Sequence, residues 1–280
     1  MKNNTSPQCT VVAGINWGDE GKGRMVDLLG ADYDVIVRYQ GGNNAGHTVI
    51  NERGKFILNL LPSGILRDNA VNVMGNGMVI DLEHLMGEIG RLTEKGITVT
   101  PQHLKISDKT PICLPVHKAQ DILEEERLLD RKFGSTRRGI APAYADKYMK
   151  KCLRMGDLLH PQALREKAAQ YLEWKNLLLT NAYPYEGMTV DALLDWLTAF
   201  GAPLVPFVCD TGKYLDTALK EGKRILFEAQ LGALRDIDYG IFPYTTSSNT
   251  LAAYAPIGSG LPSAYPDSVV GIMKAYSSCV

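Results

Sequence analysis

The stretch Thr10-Val11-Val12-Ala13-Gly14-Ile15-Asn16-Trp17-Gly18-Asp19-Glu20-Gly21-Lys22-Gly23-Arg24 decides how this chain folds. Residues 11–13 are apolar and read as a buried strand, residues 21–29 read as the helix after it, and the glycines between them supply a tight turn. A strand that empties through glycines into a helix presents backbone N–H groups and the positive end of the helix to phosphate. The spacing is not that of the P-loop, which needs Gly, four residues, then Gly-Lys-Ser/Thr. Here six residues separate Gly14 from Gly21-Lys22, and Gly23 stands where the hydroxyl would be. The residues alone leave two readings, a P-loop-like phosphate site or a strand-to-helix turn with solvated charges.

Outward from that turn, strand-like and helix-like segments alternate, which argues an α/β fold. Residues 34–38, 104–106, 224–228 and 267–273 read as further strands, and 71–74 and 78–80 as strands flanking the turn Gly75-Asn76-Gly77. Asp81 opens a helix that Gly96 ends, and residues 115–132 form a long charged helix. The stretch 161–222 reads as mostly helical, its last helix capped by Asp210-Thr211. Polar loops fill 134–142 and 236–249. With no internal repeat, low-complexity tract or linker, one domain over 1–280 is expected. The strand at 267–273 lies so near Val280 that the end reads as cut.

Composition narrows the function classes. The chain has 280 residues, 45% hydrophobic and 22% charged, with net charge −1, so no global field favours nucleic acid or an anionic membrane. Basic residues gather only locally, at Arg137, Arg138, Lys147, Lys150 and Lys151. Five widely spaced cysteines (Cys9, Cys113, Cys152, Cys209 and Cys279) without a Cys-x-x-Cys pair argue against structural zinc and a disulfide framework. They fit a reducing compartment. The polar N-terminus gives no signal peptide, no membrane span is evident, and a cytoplasmic location is expected.

A second unusual run, Gly41-Gly42-Asn43-Asn44-Ala45-Gly46-His47-Thr48, points with the first toward nucleotide chemistry. Asp19 and Glu20 lie inside the phosphate loop, where a carboxylate is useful if it holds Mg²⁺ or takes a proton. The bland account, an acid favoured by the helix dipole, covers one of the two more comfortably than both. His47, in a polar loop beside Asn44, reads either as a donor to a ligand oxygen or as structural. His84, His103, His117 and His160 lie in helical or connecting segments and read as structural.

Together these runs resemble the adenylosuccinate synthetase family. Residues 17–23 and the run Arg38-Tyr39-Gln40 through Thr48 are similar to its hallmark runs. Supporting runs follow at 61–65, 75–77, 134–136, 139–144, 236–240, 243–249 and 274–276, so the resemblance covers nearly the whole chain in order. It implies an α/β fold with a central, largely parallel sheet, flanking helices and a P-loop-like phosphate site, with the C-terminal part of the family fold missing. It also implies a reaction in which IMP, L-aspartate and GTP give adenylosuccinate, GDP and phosphate with one Mg²⁺ per subunit, in a homodimer without nucleic acid or membrane partners.

The resemblance implies roles as well. Asp19 would take the N1 proton of IMP, His47 would donate to the GTP phosphates, and Lys147 would complete the catalytic set. Asp19 and the Gly46 carbonyl would ligate the metal. GTP would be held by Gly18, Asp19, Glu20, Gly21, Lys22, Gly23, Arg24, Gly46, His47 and Thr48. IMP would meet Asp19, Glu20, Gly21, Lys22, Asn44, Ala45, Gly46, His47, Thr136, Lys150, Gln230 and Thr246. The chain departs from the pattern at several points. Asn16 stands for a glutamine, Arg235 for an apolar residue, and Lys150 for an arginine that reaches the IMP phosphate across the dimer. Leu231 stands where an IMP-contacting amide is expected, with Gln230 one residue early, so either the loop shifts or the contact is lost. The family's aspartate-binding and guanine-recognition segments are absent from the sequence. Three alternatives follow: a short non-catalytic nucleotide-binding paralogue, an inactive fragment, and a synthetase for another purine nucleotide. The failed P-loop spacing disfavours a signalling GTPase.

Overall fold

A computed structural model describes residues 8–276. Seven strands form one sheet in the order β7-β6-β5-β2-β8-β1-β9, every adjacent pair parallel. They are β1 (Cys9–Gly14), β2 (Val35–Arg38), β5 (Val71–Met74), β6 (Leu104–Ser107), β7 (Val208–Cys209), β8 (Ile225–Gly232) and β9 (Ser268–Ile272). A separate antiparallel hairpin, β3 (His47–Asn51) with β4 (Gly54–Leu58), stands beside it. The helices are α1 (Lys22–Leu29), α2 (Leu82–Glu94), α3 (Pro115–Arg127), α4 (Ile140–Tyr148), α5 (Pro161–Ala182), α6 (Val190–Gly201), α7 (Thr211–Lys220) and α8 (Ala255–Ser259). The α/β reading, with a largely parallel sheet, therefore holds.

The period-2 geometry of strands sorts the core. Val11, Val35, Val37, Ile225 and Phe227 point to one face and pack with Leu215 of α7 and Ala255 of α8. Val12, Ile36 and Leu226 point to the other and pack with Val26 of α1. A larger cluster joins Val49 and Phe56 of the hairpin, Met74, Leu104 and Ile106 of the sheet, and the apolar stripes of α2, α5 and α6. Parallel strands buried on both faces read as near-continuous apolar runs, which is why they were visible in the sequence. Because the strands are parallel, the turns after β1, β2, β5 and β8 collect at one end of the sheet, where α/β proteins bind ligands.

Several expectations need correction. Residues 78–80 are not a strand; Met78 and Ile80 make only isolated bridges, to Gly41 and Ile112. The helix expected to reach residue 132 stops at Arg127 and gives way to a 3-10 turn, Leu129–Arg131, with Leu129 at φ +49°. The stretch 161–222 is mostly helical as expected, with only the two-residue strand β7 inside it. His47 opens β3 rather than sitting in a loop, and the hairpin has no clean alternation in sequence because its exposed face carries Ile50 and Ile57. Caps behaved as expected: Asp81 accepts from the His84 N–H and Asp210 from the Lys213 N–H.

Among the described residues one stretch, Val190–Phe207, is long and apolar enough by composition to cross a membrane, which the sequence reading did not single out. It forms α6 and the 3-10 turn after it, and it places Leu193, Leu197 and Leu204 in the core.

Candidate functional site

The turn after β1 is held from inside. Glu20 points inward, and its Oε1 accepts N–H groups from Asn16 at 3.1 Å and Gly18 at 2.8 Å. Its Oε2 lies 2.5 Å from Lys22 Nζ, and both side chains are buried. Burial pushes the Glu20 carboxyl up, but Lys22 and the Gly18 N–H outweigh it and hold the group below its ordinary value. Burial lowers the Lys22 ammonium against the pull of Glu20. A Cβ on Gly14 would come within 2.6 Å of Glu20 Oε2, so the brace needs glycine there. The second acid of the loop thus has an explanation that neither sequence reading contained: it ties Lys22 to the turn. Asp19 faces the other way, exposed and left-handed at φ +60°, and Gly21 and Arg24 are exposed beside it. The first-turn N–H groups of α1 have no intrahelical acceptor by construction.

His47 packs directly on that helix start: a Cβ on Gly23 would lie 2.7 Å from His47 Cβ. The ring is buried, and Nδ1 is 2.5 Å from Oε1 of Glu228, which the strand β8 places at the centre of the sheet. Ser63 donates its N–H to Glu228 Oε2 at 2.8 Å and its hydroxyl to Oε1 at 2.6 Å. Arg38 lies opposite Glu228 in the parallel register and is fully buried. Burial raises the Glu228 carboxyl, while His47, Arg38 and Ser63 together hold it below the ordinary carboxylate range. Burial pushes the His47 imidazole down, against the pull of Glu228. No hydrogen bond joins His47 Nε2 to another described residue, which leaves that nitrogen for a ligand.

The turn after β2 is clamped by Gln230. Its Oε1 accepts from the Gly42 N–H at 2.9 Å, and its Nε2 donates to the Gly42 and Ala45 carbonyls at 3.0 and 3.3 Å and to Asn44 Oδ1 at 3.4 Å. Asn44 Nδ2 in turn reaches Thr246 Oγ1 at 3.4 Å. Asn44, Gln230 and Thr246, 202 residues apart in sequence at the extremes, therefore meet. A bulge in β8 between Glu228 and Gly232 turns Gln230 inward, while Leu231, at φ +61°, lies over Gly18. Gln230 is thereby brought to Asn44.

Three expected residues stand outside this cluster. Thr136 and Lys150 are exposed, the latter at φ +62°, and neither side chain bonds to the cluster. Lys147, half-buried on α4, donates to the Asn76 carbonyl at 3.0 Å, and burial lowers its ammonium. Thr48 and Gly46 are exposed at the start of the hairpin. Sequence reading missed Glu228, Arg38 and Ser63. The signal for two of them was there: the apolar runs Val35-Ile36-Val37 and Ile225-Leu226-Phe227 are each followed directly by a charge, Arg38 and Glu228. Among the described residues no group of three or more His, Cys, Asp or Glu is placed to hold a metal. Asp19 and Gly46, the expected oxygen donors to Mg²⁺, are both exposed.

The profile of the adenylosuccinate synthetase family matches residues 11–280. The chain is 48% identical over 272 residues to adenylosuccinate synthetase 2 of Pseudoalteromonas translucida, covering 96% of this chain and 64% of that protein. It is 45% identical over 271 residues to the adenylosuccinate synthetase of Oleidesulfovibrio alaskensis, with the same coverage of 96% and 64%. The fully ligated adenylosuccinate synthetase from Plasmodium falciparum superposes with a TM-score of 0.88 at 31% identity, covering 98% of this chain and 63% of that one. A succinoaminodeoxyadenylate synthetase from cyanophage S-2L shares the fold at a TM-score of 0.63 and 22% identity, over 96% of this chain and 65% of that one. The chain thus spans less than two thirds of the length of the curated relatives it matches.

Proposed function

The chain belongs to the adenylosuccinate synthetase family, and from that premise we propose that it carries the phosphoryl-transfer half of a GTP-dependent ligation of L-aspartate to IMP. The observation that carries the reading is the meeting of two loops. The turn after β1 brings Asp19 and the start of α1, and the turn after β2 brings His47 against that same helix start, with Asn44, Gln230 and Thr246 beside it. Phosphate at the α1 start would face helix N–H groups and the free Nε2 of His47, and a purine nucleotide would lie along Asn44 and Thr246.

The chemistry asks for this layout. The 6-oxygen of IMP is a poor leaving group until it is phosphorylated. Asp19 takes the N1 proton, the 6-oxygen attacks the γ-phosphorus of GTP, and GDP departs with the bonding pair. The amine of L-aspartate then displaces phosphate at C6. His47 Nε2 faces the charge that develops on the transferred group. Mg²⁺, when bound through Asp19 and the Gly46 carbonyl, neutralises phosphate charge. The exposed carboxylate of Asp19 fits a role toward ligands, in contrast to Glu20, which is turned into the protein. Residues 1–280 act in this reading as one domain of a cytoplasmic, homodimeric enzyme, with Lys150 facing the second copy.

The test is phosphate release by the native protein, isolated intact from its source cell. Release from GTP is expected only when IMP, L-aspartate and Mg²⁺ are all present. Equal release with GMP in place of IMP would move the reading to another purine nucleotide, and binding of GTP and IMP without release would favour a nucleotide-binding paralogue.

A further inference from the structure

We propose that Glu228 is a positioning residue for His47: its carboxylate fixes the imidazole by Nδ1 and so keeps Nε2 turned to the nucleotide. The inference rests on the synthetase reading for its consequence, though not for its geometry.

A carboxylate in the middle of a parallel sheet is costly. Glu228 is completely buried on β8, between β2 and β1, where its neighbours in the strand are Leu226, Phe227 and Ala229. An apolar residue of similar volume would serve the sheet as well or better, since buried ion pairs seldom out-stabilise hydrophobic replacements. What an apolar residue could not do is orient a ring. The carboxylate is itself held: Ser63 gives it both a backbone N–H and a hydroxyl, on Oε2 and Oε1. Arg38 pairs with Glu228 in the parallel backbone register, and its positive charge favours the carboxylate without a direct hydrogen bond. The fixed Oε1 then meets His47 Nδ1 at 2.5 Å. His47 packs close against the Gly23 backbone at the start of α1, an approach that a Cβ at position 23, 2.7 Å from His47 Cβ, would prevent. Of the two ring nitrogens only Nε2 is left without a partner among the described residues. A carboxylate–imidazole–ligand line of this kind sets both tautomer and aim, as second partners of functional histidines do elsewhere.

The informative substitution is Glu228→Gln, which keeps volume and hydrogen bonding. Ser63 supplies only donors on the Oε2 side, so the amide oxygen is drawn there and the NH₂ falls on the side facing His47. Nδ1 must then accept, and the ring proton moves to Nε2. Two measurements follow. In the protein with ¹⁵N-labelled histidine, two-bond ¹H–¹⁵N spectra should show the His47 ring protonated on Nδ1 in the parent and on Nε2 in Glu228→Gln. An unchanged tautomer overturns the proposal whether or not the protein is an active ligase. In turnover, Glu228→Gln should lower kcat by about 10²-fold or more, the scale for losing an acid–base partner or its tautomer. KM for GTP and IMP should change by less than about threefold. In a His47→Asn background the same substitution should cost nothing further, because the two residues act as one unit. Independent, multiplying losses would reduce Glu228 to a structural charge and overturn the proposal. A parent that shows the Nδ1–H tautomer but releases no phosphate would count against the synthetase reading while leaving the positioning role of Glu228 intact.

Discussion

Two buried histidine–carboxylate pairs sit in this molecule, and they differ in one respect. His47 with Glu228 lies at the ligand end of the sheet; His117 with Asp146 joins α3 to α4 and α5. In both the ring and the acid are buried, and in both burial pushes the imidazole below its ordinary value while the acid pulls it up. The difference is closure. His117 spends both nitrogens: Nδ1 accepts the Leu114 N–H at 2.9 Å, and Nε2 meets Asp146 Oδ2 and the Tyr171 hydroxyl, each at 2.9 Å. Lys175 then adds its ammonium to Asp146 at 2.9 and 3.1 Å. Nothing of that cluster is left for a ligand. His47 spends one nitrogen and keeps the other. Burial and a carboxylate partner are common to both pairs; the unspent nitrogen beside a helix start is what sets His47 apart.

The sharpest way to break the comparison is to remove the acid from the closed pair. Asp146→Ala leaves the Lys175 ammonium buried and unpaired, and it should cost roughly 3–5 kcal/mol of unfolding free energy in urea. A loss under about 1 kcal/mol would mean that the cluster is not the pin between α3, α4 and α5 that its geometry suggests. The open pair should respond in the other currency. His47→Asn should lower turnover by about 10²-fold or more. Its unfolding free energy should fall by roughly 1.5–3 kcal/mol at most, less than for Asp146→Ala, because Glu228 keeps both Ser63 donors. If instead His47→Asn unfolds the protein and leaves the turnover of the folded fraction intact, the two pairs are alike.

The closed pair also predicts an acid dependence of stability. His117 is held below its ordinary value by burial, against Asp146, so it stays neutral in the folded chain where the unfolded chain would protonate it. The unfolded state then binds the extra proton, and stability must fall as pH drops below the ordinary histidine value of about 6.5. Burial raises Asp146, but His117 and Lys175 outweigh it and hold the carboxyl low. Its contribution is therefore present above the unfolded value of about 3.9 and is lost as pH falls through the folded one. Urea midpoints should be lower at pH 5.5 than at 7.5 and lower again near 4. A midpoint that rises on acidification would contradict both signs.

Much of this was legible in the chain because it is written in local pattern. The apolar runs 11–13, 34–38, 104–106 and 224–228 are strands since parallel strands are buried on both faces. Asp81 and Asp210 are caps since a short acid before a helix satisfies its first N–H groups. The closed and open histidines were also separable in outline, because His117 sits in a helical segment and His47 follows a glycine-rich polar run. What stayed hidden depends on distant partners. Glu228 looked like the last residue of a strand because its three partners come from positions 38, 47 and 63. The inward turn of the Glu20 side chain onto Lys22 and the Asn16 and Gly18 N–H groups appears only in the fold. Gln230 looked one residue out of place because a bulge, which no spacing rule announces, turns it inward.

The smallest test separates the pairs at the level of single hydroxyls. Ser63→Ala removes one donor from Glu228 Oε1 and leaves the backbone N–H on Oε2. Tyr171→Phe removes the hydroxyl that lies 2.9 Å from both Asp146 Oδ2 and His117 Nε2. Each deletes a hydrogen bond to a charged group, a change of roughly 1.5–3 kcal/mol at most in stability. Both variants should lose stability on that scale, since both sites are buried. Only Ser63→Ala should also slow turnover, by a few-fold, because a less firmly held carboxylate aims His47 less well. Tyr171→Phe has no path to a ligand, since His117 has no nitrogen to offer one. Equal slowing in the two variants would mean that loosening any buried hydrogen bond disturbs the site, and closure of the ring would then carry no information about function.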